Sequence, residues 1–385
     1  MCDASSVFKM SACTVVLACM VRGFQWIPVI FINSVIVWSY YAYVFVLCFE
    51  NVQSNIEKAA YLVAFHPFFF MLIISYWRTI LADQGIVPSQ FALSKTDKDL
   101  VENGENVREV LTRVSKNLPT ATRTLSGGVR YCDICCHIKP DRCHHCSMCR
   151  KCILKMDHHC PWVNNCVGYS NYKFFLLFLF YAILYTFYVT GTVTKYFIAF
   201  WSIPKSKLEE QGISLQKHLL NSLEGEGKLH ILFLFFVALM FCISLWSLFG
   251  YHIYLVSQNK TTLESFRVPH LRYGPSKDAF HLGTRLKNVE QVFGTSVIMW
   301  FLPVFTSPGD GVNFPLKHSP ESDRLLDNGD RWMEEGDLEE QPTTVCDGSA
   351  ELRDVNELEP TVAVTQNIKP DLITTVREVD EGADL

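Results

Sequence analysis

Four long apolar runs constrain the fold of this chain more than any other feature. They cover residues 27–49, 59–82, 174–200 and 229–256. Each run is long enough to cross about 30 Å of hydrocarbon as a helix. Because the bilayer core offers no water to unpaired backbone groups, a helix is the expected conformation. The sequence therefore predicts an α-helical integral membrane protein, with helix pairs within residues 27–82 and 172–257.

The polar segments between these runs predict an orientation. The loop over residues 83–171 holds twelve Lys and Arg residues, and residues 258–304 form a second basic segment. Basic loops stay on the cytosolic side of a membrane. With four spans, both termini (residues 1–26 and 305–385) are then expected in the cytosol as well. The net charge of −5 argues against a nucleic-acid-binding protein.

The two ends of the chain differ from its middle. Residues 12–21 form an apolar run that is too short to span a bilayer, which indicates a short helix at the membrane surface. From residue 305 onward the apolar blocks stop, and residues 319–385 are rich in acidic residues. This composition predicts a disordered acidic tail over residues 305–385, with a partner-binding or sorting signal as the alternative.

The loop between the second and third spans contains a dense cysteine cluster. Nine of the chain's fifteen cysteines fall between Cys132 and Cys166, together with five histidines. Such spacings are typical of zinc sites, whose thiolates need the reducing cytosol. Eight residues are enough for two closed, structural sites, although spacing alone does not divide them. They are Cys132, Cys135, His145, Cys146, Cys149, Cys152, His159 and Cys166.

Residues beside these ligands offer a different chemistry. Asp157, His158 and Cys160 place a carboxylate, an imidazole and a thiol within four positions. An imidazole can take the proton of a thiol and so generate a nucleophilic thiolate, and an acid beside it would orient it. The alternative is that all of these residues bind zinc or support its ligands. Because Cys160 shortly precedes a span, its thiol would meet a lipid-anchored group such as a fatty acyl thioester.

The motif Asp157-His158-His159-Cys160, in a cysteine-rich loop between the second and third of four spans, resembles that of the DHHC family of protein S-acyltransferases. The likeness extends over residues 27–294. It implies a zinc domain at about residues 130–168. It also implies a two-step reaction, in which Cys160 accepts an acyl chain from acyl-CoA (palmitoyl-CoA) and passes it to a cysteine of a membrane-associated protein. His158 would be the base, and Asp157 the acid that orients it.

The resemblance also divides the zinc ligands between two structural Zn²⁺ ions. It implies one zinc bound by Cys132, Cys135, His145 and Cys152, and a second bound by Cys146, Cys149, His159 and Cys166. Because these sets interleave along the chain, the two ions would join the loop into one rigid unit.

Two motifs after the fourth span are also similar to the family. Thr261 and Thr262 begin a Thr-Thr-Leu-Glu sequence that resembles the family's T-T-x-E motif, which implies a hydroxyl group beside the catalytic residues. Asn288 lies in a segment that resembles the family's C-terminal element, where it would cap backbone groups. The chain departs from the family at Asp83-Gln84-Gly85, where many members carry Asp-Pro-Gly. This departure weakens any role expected for the tripeptide.

The cosubstrate suggests further site residues. The phosphates of coenzyme A need cations on the cytosolic face near Cys160, although any single basic residue could instead be a solvated surface charge. The candidates are Lys139, Arg142, Lys155 and Arg267. The acyl chain is expected between the helices, and the pair predicted at its far end is Ser39 of the first span and Tyr185 of the third.

Two other classes of protein are the alternatives. A zinc-stabilised, membrane-anchored scaffold, akin to a RING ligase, would have no need of a spare thiol beside Asp157 and His158. A channel or transporter would need more polar residues within its spans than the few histidines and the lysine present here. We therefore predict a protein S-palmitoyltransferase, and the resemblance favours the Golgi membrane as its location.

Overall fold

A computed structural model describes residues 20, 22–202, 226–272 and 274–317 of the chain. Nearly all of the predicted surface helix and the whole acidic stretch 319–385 lie outside the described residues. Within them, four helices are long and apolar enough to cross a membrane, which confirms the predicted architecture. These candidate spans are Arg22–Asn51, Asn55–Leu81, Tyr172–Ala199 and Leu229–Ser257.

The third of the four spanning helices lies at the centre of their packing. The first span consists of an α-helix, α1, that continues as a π-helix, and the others are α2, α5 and α6. Their bounds are Ile27–Tyr40 (α1), Tyr41–Asn51 (π-helix), Asn55–Leu81 (α2), Tyr172–Ser202 (α5) and Glu226–Ser257 (α6). Helix α5 packs against both α2 and α6, and its span is the most buried of the four. Aromatic stacking adds to this core, as between Tyr43 and Phe65, whose ring centroids are 4.4 Å apart.

The cysteine-rich loop between α2 and α5 contains little regular structure. A 3₁₀ turn and two short helices lead into three small antiparallel hairpins, β2–β3, β4–β5 and β6–β7. The helical segments are Ser89–Phe91, Lys95–Glu102 (α3) and Val107–Ser115 (α4). The hairpin strands are Tyr131–Cys132 (β2), His137–Ile138 (β3), His144–Cys146 (β4), Lys151–Ile153 (β5), His158–Cys160 (β6) and Asn165–Val167 (β7). Strands this short cannot form a core alone, so the loop depends on other contacts.

The segment after α6 folds back onto this loop. Its elements are Thr262–Phe266 (α7), His270–Leu271 (β8), Gly274–Pro275 (β9), Arg285–Phe293 (α8) and Val297–Trp300 (α9). Strand β8 pairs with both β9 and β1 (Thr122–Arg123), and β1 precedes the hairpins. The segment that follows the fourth span is therefore paired directly with the cysteine-rich loop.

The structure corrects the predicted start of the disordered tail at residue 305. Residues 305–317 pack on the rest of the protein: the Tyr169 hydroxyl donates to the Gly309 carbonyl at 2.6 Å, and Val312 is buried. The Lys317 backbone N–H donates to the Ala279 carbonyl at 2.8 Å. These contacts are made largely by backbone groups, so the sequence carries no apolar pattern that would have indicated them.

Candidate active site

The Asp-His-His-Cys motif ends in the hairpin β6–β7. In its register His159 lies opposite Cys166, and Cys160 lies opposite Asn165. Side chains alternate between the two faces of a strand, so His158 and Cys160 share one face and His159 points to the other. The hairpin therefore separates the candidate catalytic pair from the neighbouring candidate metal ligand.

A hydrogen-bond network joins Asp157, His158 and Thr262. The His158 Nδ1–H donates to Asp157 Oδ2 at 2.7 Å. Thr262, at the start of α7, donates to the same carboxylate through its backbone N–H at 2.9 Å and its hydroxyl at 2.8 Å. Asp157 is only 1% exposed. A buried carboxylate with three donors is a charged group whose hydrogen-bonding needs are met by the protein.

This network shifts the ionisation of both residues. Burial alone would raise the pKa of the Asp157 carboxyl, but the hydrogen bond and charge of His158 lower it below its ordinary value. Burial alone would lower the pKa of His158, but its hydrogen bonds with Asp157 and Cys160 raise that pKa to about 10. At neutral pH the site therefore holds an imidazolium between a carboxylate and the Cys160 sulfur. A cation in this position stabilises a thiolate.

Two aromatic rings from the spanning helices pack against the His158 imidazole. Phe175 of α5 meets it edge-on, with ring centroids 5.2 Å apart, and the centroid of the His252 ring in α6 lies 5.7 Å away. His252 is buried and is hydrogen-bonded to the Tyr172 hydroxyl at 3.1 Å. Sequence reasoning treated His252 only as a polar residue within a span. Its place in the last two turns of α6, just before the Thr-Thr-Leu-Glu motif, was the signal that could have located it.

The Cys160 thiol lies against the interior of the helix bundle. It is 7% exposed and belongs to an apolar cluster with side chains from α1, α2, α5 and α6, among them Val29 and Tyr76. The Tyr76 hydroxyl donates to the Trp162 carbonyl at 2.9 Å, which joins α2 to the hairpin turn. The nucleophile candidate thus lies where the polar loop meets the apolar membrane helices.

The structure brings the eight predicted ligands together in two clusters. Each cluster has three cysteines and one histidine whose ligand atoms lie within 4.8 Å of one another, and each could hold a metal ion. The clusters are Cys132, Cys135, His145 and Cys152, and Cys146, Cys149, His159 and Cys166. This is the division implied by the family resemblance. Hairpins position the ligands, because His145 pairs with Cys152 across β4–β5 and His159 with Cys166 across β6–β7.

The distances within both clusters suit a tetrahedral ion. In the first, the His145 Nδ1 lies 3.3 to 3.8 Å from the three sulfur atoms. In the second, the His159 Nδ1 lies 3.4 to 3.7 Å from its three sulfurs. Zinc bonds of ordinary length at tetrahedral angles would separate sulfur from nitrogen by about 3.6 Å. The donor set and its spacing therefore fit zinc in both clusters.

Comparisons with known proteins agree with this geometry. A family model described as DHHC palmitoyltransferase matches residues 126–268. The palmitoyltransferase ZDHHC15 of Xenopus laevis is 46% identical over 336 residues, which cover 86% of this chain and 94% of that protein. ZDHHC20-A of Danio rerio is 51% identical over 303 residues, 78% of this chain and 80% of that protein. ZDHHC2 of Homo sapiens is 51% identical over 297 residues, 76% of each.

This chain belongs to the DHHC palmitoyltransferase family. The predicted family is confirmed, and with it the predicted protein S-palmitoyltransferase function. The structure also shows what the Thr-Thr-Leu-Glu motif does. Thr261 caps α7 by accepting a hydrogen bond from the Glu264 N–H, in a capping box, and so presents Thr262 to Asp157.

The structure corrects the prediction that Arg142 of this palmitoyltransferase binds coenzyme A. The Arg142 side chain has no exposed surface, and its guanidinium donates twice to the Glu264 carboxylate, at 2.7 Å each. It also donates to Asn259 and stacks on the Phe280 ring, 4.4 Å from its centroid. Arg142 therefore joins the cysteine-rich loop to the segment after α6, and each of its three guanidinium nitrogens already donates a hydrogen bond.

The other predicted cations fall into two groups. Lys155 is buried, with its Nζ 5.7 Å from the centroid of the Phe314 ring, and burial and the neighbouring Arg142 lower its pKa to about 7. Its burial contradicts the prediction that it binds phosphate. Lys139 is buried as well, which likewise contradicts a role at the surface. Only Arg267 of the four is exposed.

The residues predicted as an acyl-pocket pair contact each other, and the residue predicted to cap backbone groups does so. Ser39 Oγ and Tyr185 Oη are hydrogen-bonded at 2.8 Å, and both residues are buried. The buried side chain of Asn288 donates to the Ser257 carbonyl at 2.7 Å and accepts from the Leu282 N–H at 2.9 Å. Asn288 thereby satisfies a carbonyl at the end of α6, where helical partners run out.

Proposed function

We propose that this palmitoyltransferase forms an acyl thioester on Cys160 and transfers the acyl chain to a cysteine of a membrane-associated protein. One observation carries the proposal: the hydrogen-bonded Asp157–His158 pair shares a hairpin face with Cys160, directly against the apolar helix cluster. A thiol that served only to bind zinc would have no need of this environment.

In the first step the Cys160 thiolate attacks the carbonyl carbon of palmitoyl-CoA. A bond forms between Sγ and that carbon, and the bond from the carbon to the sulfur of coenzyme A breaks. The departing coenzyme A thiolate takes the proton held by the His158 imidazolium. Asp157 keeps the ring oriented throughout and stabilises its charged form, as the carboxylate does in other catalytic triads.

In the second step the neutral His158 imidazole accepts the proton of the substrate cysteine. The substrate sulfur attacks the Cys160 thioester carbonyl, the bond to Sγ breaks, and Cys160 leaves as the thiolate. The site returns to its starting charge state, because the proton that His158 gave to coenzyme A is replaced by the proton of the substrate thiol. Because Cys160 lies beside the spanning helices, its partners would be cysteines held near the membrane surface.

Zinc would serve this site structurally. Each cluster offers four ligands, which closes the coordination sphere and leaves no position for substrate. When bound, the two ions would link the three hairpins, which contain too little apolar surface to fold alone. Residues in these clusters would then hold Cys160 in place without contacting the reacting atoms.

The acyl chain would extend from Cys160 along α1 toward Ser39 and Tyr185. Val29, which packs in the Cys160 cluster, precedes Ser39 by ten residues. Ten helical residues span about 15 Å, a distance of the order of a long fatty acyl chain. The Ser39–Tyr185 hydrogen bond would close the far end. On the other side, the exposed Arg267 is the predicted cation that remains available for the phosphates of coenzyme A.

The basic loops support an orientation with the cysteine-rich domain and both termini in the cytosol, where acyl-CoA is present and thiols stay reduced. We further propose the Golgi membrane as the location, on the family resemblance alone. Fluorescence of a tagged protein, compared with organelle markers, would test the Golgi location. Antibody access to tags at the two termini after selective permeabilisation of the plasma membrane would test the orientation.

Intact-mass analysis of the purified full-length protein tests the central proposal. After incubation with palmitoyl-CoA, we expect a single acyl adduct that hydroxylamine removes, absent from Cys160→Ser. Cys242→Ser is the matched control, because it removes another free thiol, within α6, and should leave the adduct intact. An adduct that persists in Cys160→Ser would assign the chemistry to another thiol. No adduct in any variant, with two zinc ions still bound per chain, would favour the scaffold alternative.

A further inference from the structure

Gln84 occupies the position at which the tripeptide after the second span departs from the family pattern, and it contacts the second metal cluster. Its Nε2 donates to the Cys149 sulfur at 3.3 Å and also to the Asn165 side-chain oxygen. Both neighbours are hydrogen-bond acceptors, so the NH₂ of the amide, and not its oxygen, must face them. Where the family pattern has proline, Gln84 therefore places a donor beside a sulfur of the second candidate metal cluster.

Asn165, the second partner of Gln84, is itself part of the β6–β7 hairpin of the active site. Asn165 lies opposite Cys160 in the β6–β7 register. Its buried amide nitrogen lies 3.1 Å from each of the carbonyl oxygens of Thr79, Ile80 and Ala82, which share its two N–H donors. These carbonyls belong to the end of α2, where backbone acceptors lack helical partners. One amide group thus connects the end of the second span to the strand opposite the nucleophile.

The backbone around Gln84 is arranged to hold it there. The Ser170 hydroxyl donates to the Asp83 carbonyl, which ties the tripeptide to the segment that follows β7. Gly85 adopts a φ of 74°, a left-handed conformation that glycine adopts at little cost. A Cβ at this position would lie 3.5 Å from Leu154, so the loop turns closely against the cysteine-rich domain. Gln84 is consequently oriented by contacts on both sides.

We propose that Gln84 is a positioning residue for the second metal site and, through Asn165, for the hairpin that carries Cys160. This inference rests on the proposed occupancy of that site by zinc. A hydrogen bond to a zinc-bound thiolate spreads its negative charge and fixes its direction. The Gln84 amide donates to Cys149 and to Asn165 together, so its loss would loosen the metal ligand and the strand opposite Cys160 at once.

Cadmium substitution of the full-length protein in detergent gives a direct readout. With ¹¹³Cd in both sites, the wild-type protein should show two resonances, one for each cluster. Gln84→Ala and Gln84→Glu should shift only the resonance of the second site, because Gln84 contacts Cys149 and the other cluster is composed of different sulfurs. Gln84→Glu keeps the shape of the side chain but replaces its donors by a carboxylate. This variant should therefore shift the resonance of the second site further than Gln84→Ala does. Gln90→Ala, at an exposed position of the turn Ser89–Phe91, is the matched control and should shift neither resonance.

Zinc release to a chelator supplies the second measurement. Outer hydrogen-bond partners of metal ligands typically contribute 10- to 100-fold to metal affinity, so one of the two zinc ions should leave about 10-fold faster or more in Gln84→Ala. Acylation of Cys160 should slow while its dependence on palmitoyl-CoA concentration stays the same. Unchanged resonances with unchanged release would overturn the inference, and so would equal acceleration at both sites, which indicates general loosening. A wild-type protein that binds no metal in the second cluster would instead refute the proposed zinc occupancy.

Discussion

Thr262 donates two hydrogen bonds to the Asp157 carboxylate, one from its backbone N–H and one from its hydroxyl. The two residues are 105 positions apart in the sequence. Asp157 precedes α5, and Thr262 follows α6. The carboxylate that orients His158 is therefore itself oriented by the segment after the fourth span. Catalytic geometry in the cysteine-rich loop depends on correct docking of that segment.

Replacing Thr262 by valine tests this dependence. Valine keeps the shape of threonine and the backbone N–H but removes the hydroxyl donor. A hydrogen bond to a charged group contributes about 1.5 to 3 kcal/mol, so the rate of Cys160 acylation should fall about 10- to 100-fold. The time course of adduct formation by intact mass measures it. Thr112→Val, on the exposed face of α4, should acylate at the wild-type rate; a Thr262→Val rate equal to it would contradict the role of the hydroxyl.

Asp157→Asn should slow acylation and change its pH dependence. In the wild type the pKa of His158 is raised to about 10, so the imidazolium persists between pH 6.5 and 8.5 and its ionisation adds no transition there. Without the Asp157 charge, burial dominates and the pKa of His158 falls, so the imidazolium is lost within this window as the pH rises. The rate should fall by about 100-fold or more at pH 7.5.

The same pair links stability to pH, and the sign follows from the raised pKa. Because the folded pKa of His158 lies above its ordinary value of 6.5, the stabilisation is fully present below pH 6.5 and is lost as the pH rises through about 10. Thermal unfolding followed by circular dichroism from pH 6 to 11 measures the stability effect, and rates of adduct formation from pH 6 to 9 measure the catalytic effect. A wild-type profile with a clear transition near pH 6.5 would show that His158 is not held in its charged form.

The buried ion pair between Arg142 and Glu264 should be required for folding of the cysteine-rich loop. Removing one partner of a buried pair leaves an uncompensated charge, so Arg142→Ala should cost about 3 to 5 kcal/mol of stability. Replacing both residues by methionine should cost less than replacing Arg142 alone. Thermal unfolding in detergent, followed together with zinc content, measures this. Arg150→Ala, at an exposed position, should change the stability by less than about 0.5 kcal/mol.

These residues also show why sequence predicts some parts of this protein better than others. The four spans are local patterns, because an apolar run that matches the bilayer thickness has few alternatives. The eight candidate ligands stand out because cysteine and histidine are scarce elsewhere and fall at short spacings. Asp157, His158 and Cys160 are neighbours in sequence, so their meeting in space required no knowledge of tertiary structure.

Non-local contacts decided the predictions that failed. Arg142 and Lys155 carry charges near Cys160 in sequence, which suggested phosphate binding. Their burial depends on Glu264, Phe280 and Phe314, which follow the fourth span. The Thr-Thr-Leu-Glu motif points Glu264 toward the catalytic residues, but nothing in the sequence pairs it with Arg142, and Phe280 and Phe314 belong to no motif. The packing of residues 305–317 could not be predicted for the same reason, whereas the position of His252 near the end of α6 was a signal that could have placed it beside the active site. Charge predicts which partners a residue can have, whereas the fold decides which partners it meets.

The hydrogen-bonded pair Ser39–Tyr185 leads to a prediction about acyl-chain length. If this pair closes the far end of the acyl site, Tyr185→Ala should open space beyond it and shift the preference of the enzyme toward longer chains. Ser39→Phe should fill space and shift the preference toward shorter chains. Both shifts can be measured by incubating each variant with a mixture of acyl-CoAs of 12 to 20 carbons. The mass of the adduct then shows which chain length each variant prefers.

The control for this series lies about one turn away on the same helix. Tyr188 donates its hydroxyl to the Tyr61 carbonyl, so Tyr188→Phe alters a tyrosine of α5 without enlarging the space beside Ser39. Opposite shifts in Tyr185→Ala and Ser39→Phe, with an unchanged profile in Tyr188→Phe, would locate the end of the acyl chain between α1 and α5. Uniform slowing for all chain lengths in Tyr185→Ala would instead mean that the pair only stabilises the packing of these two helices.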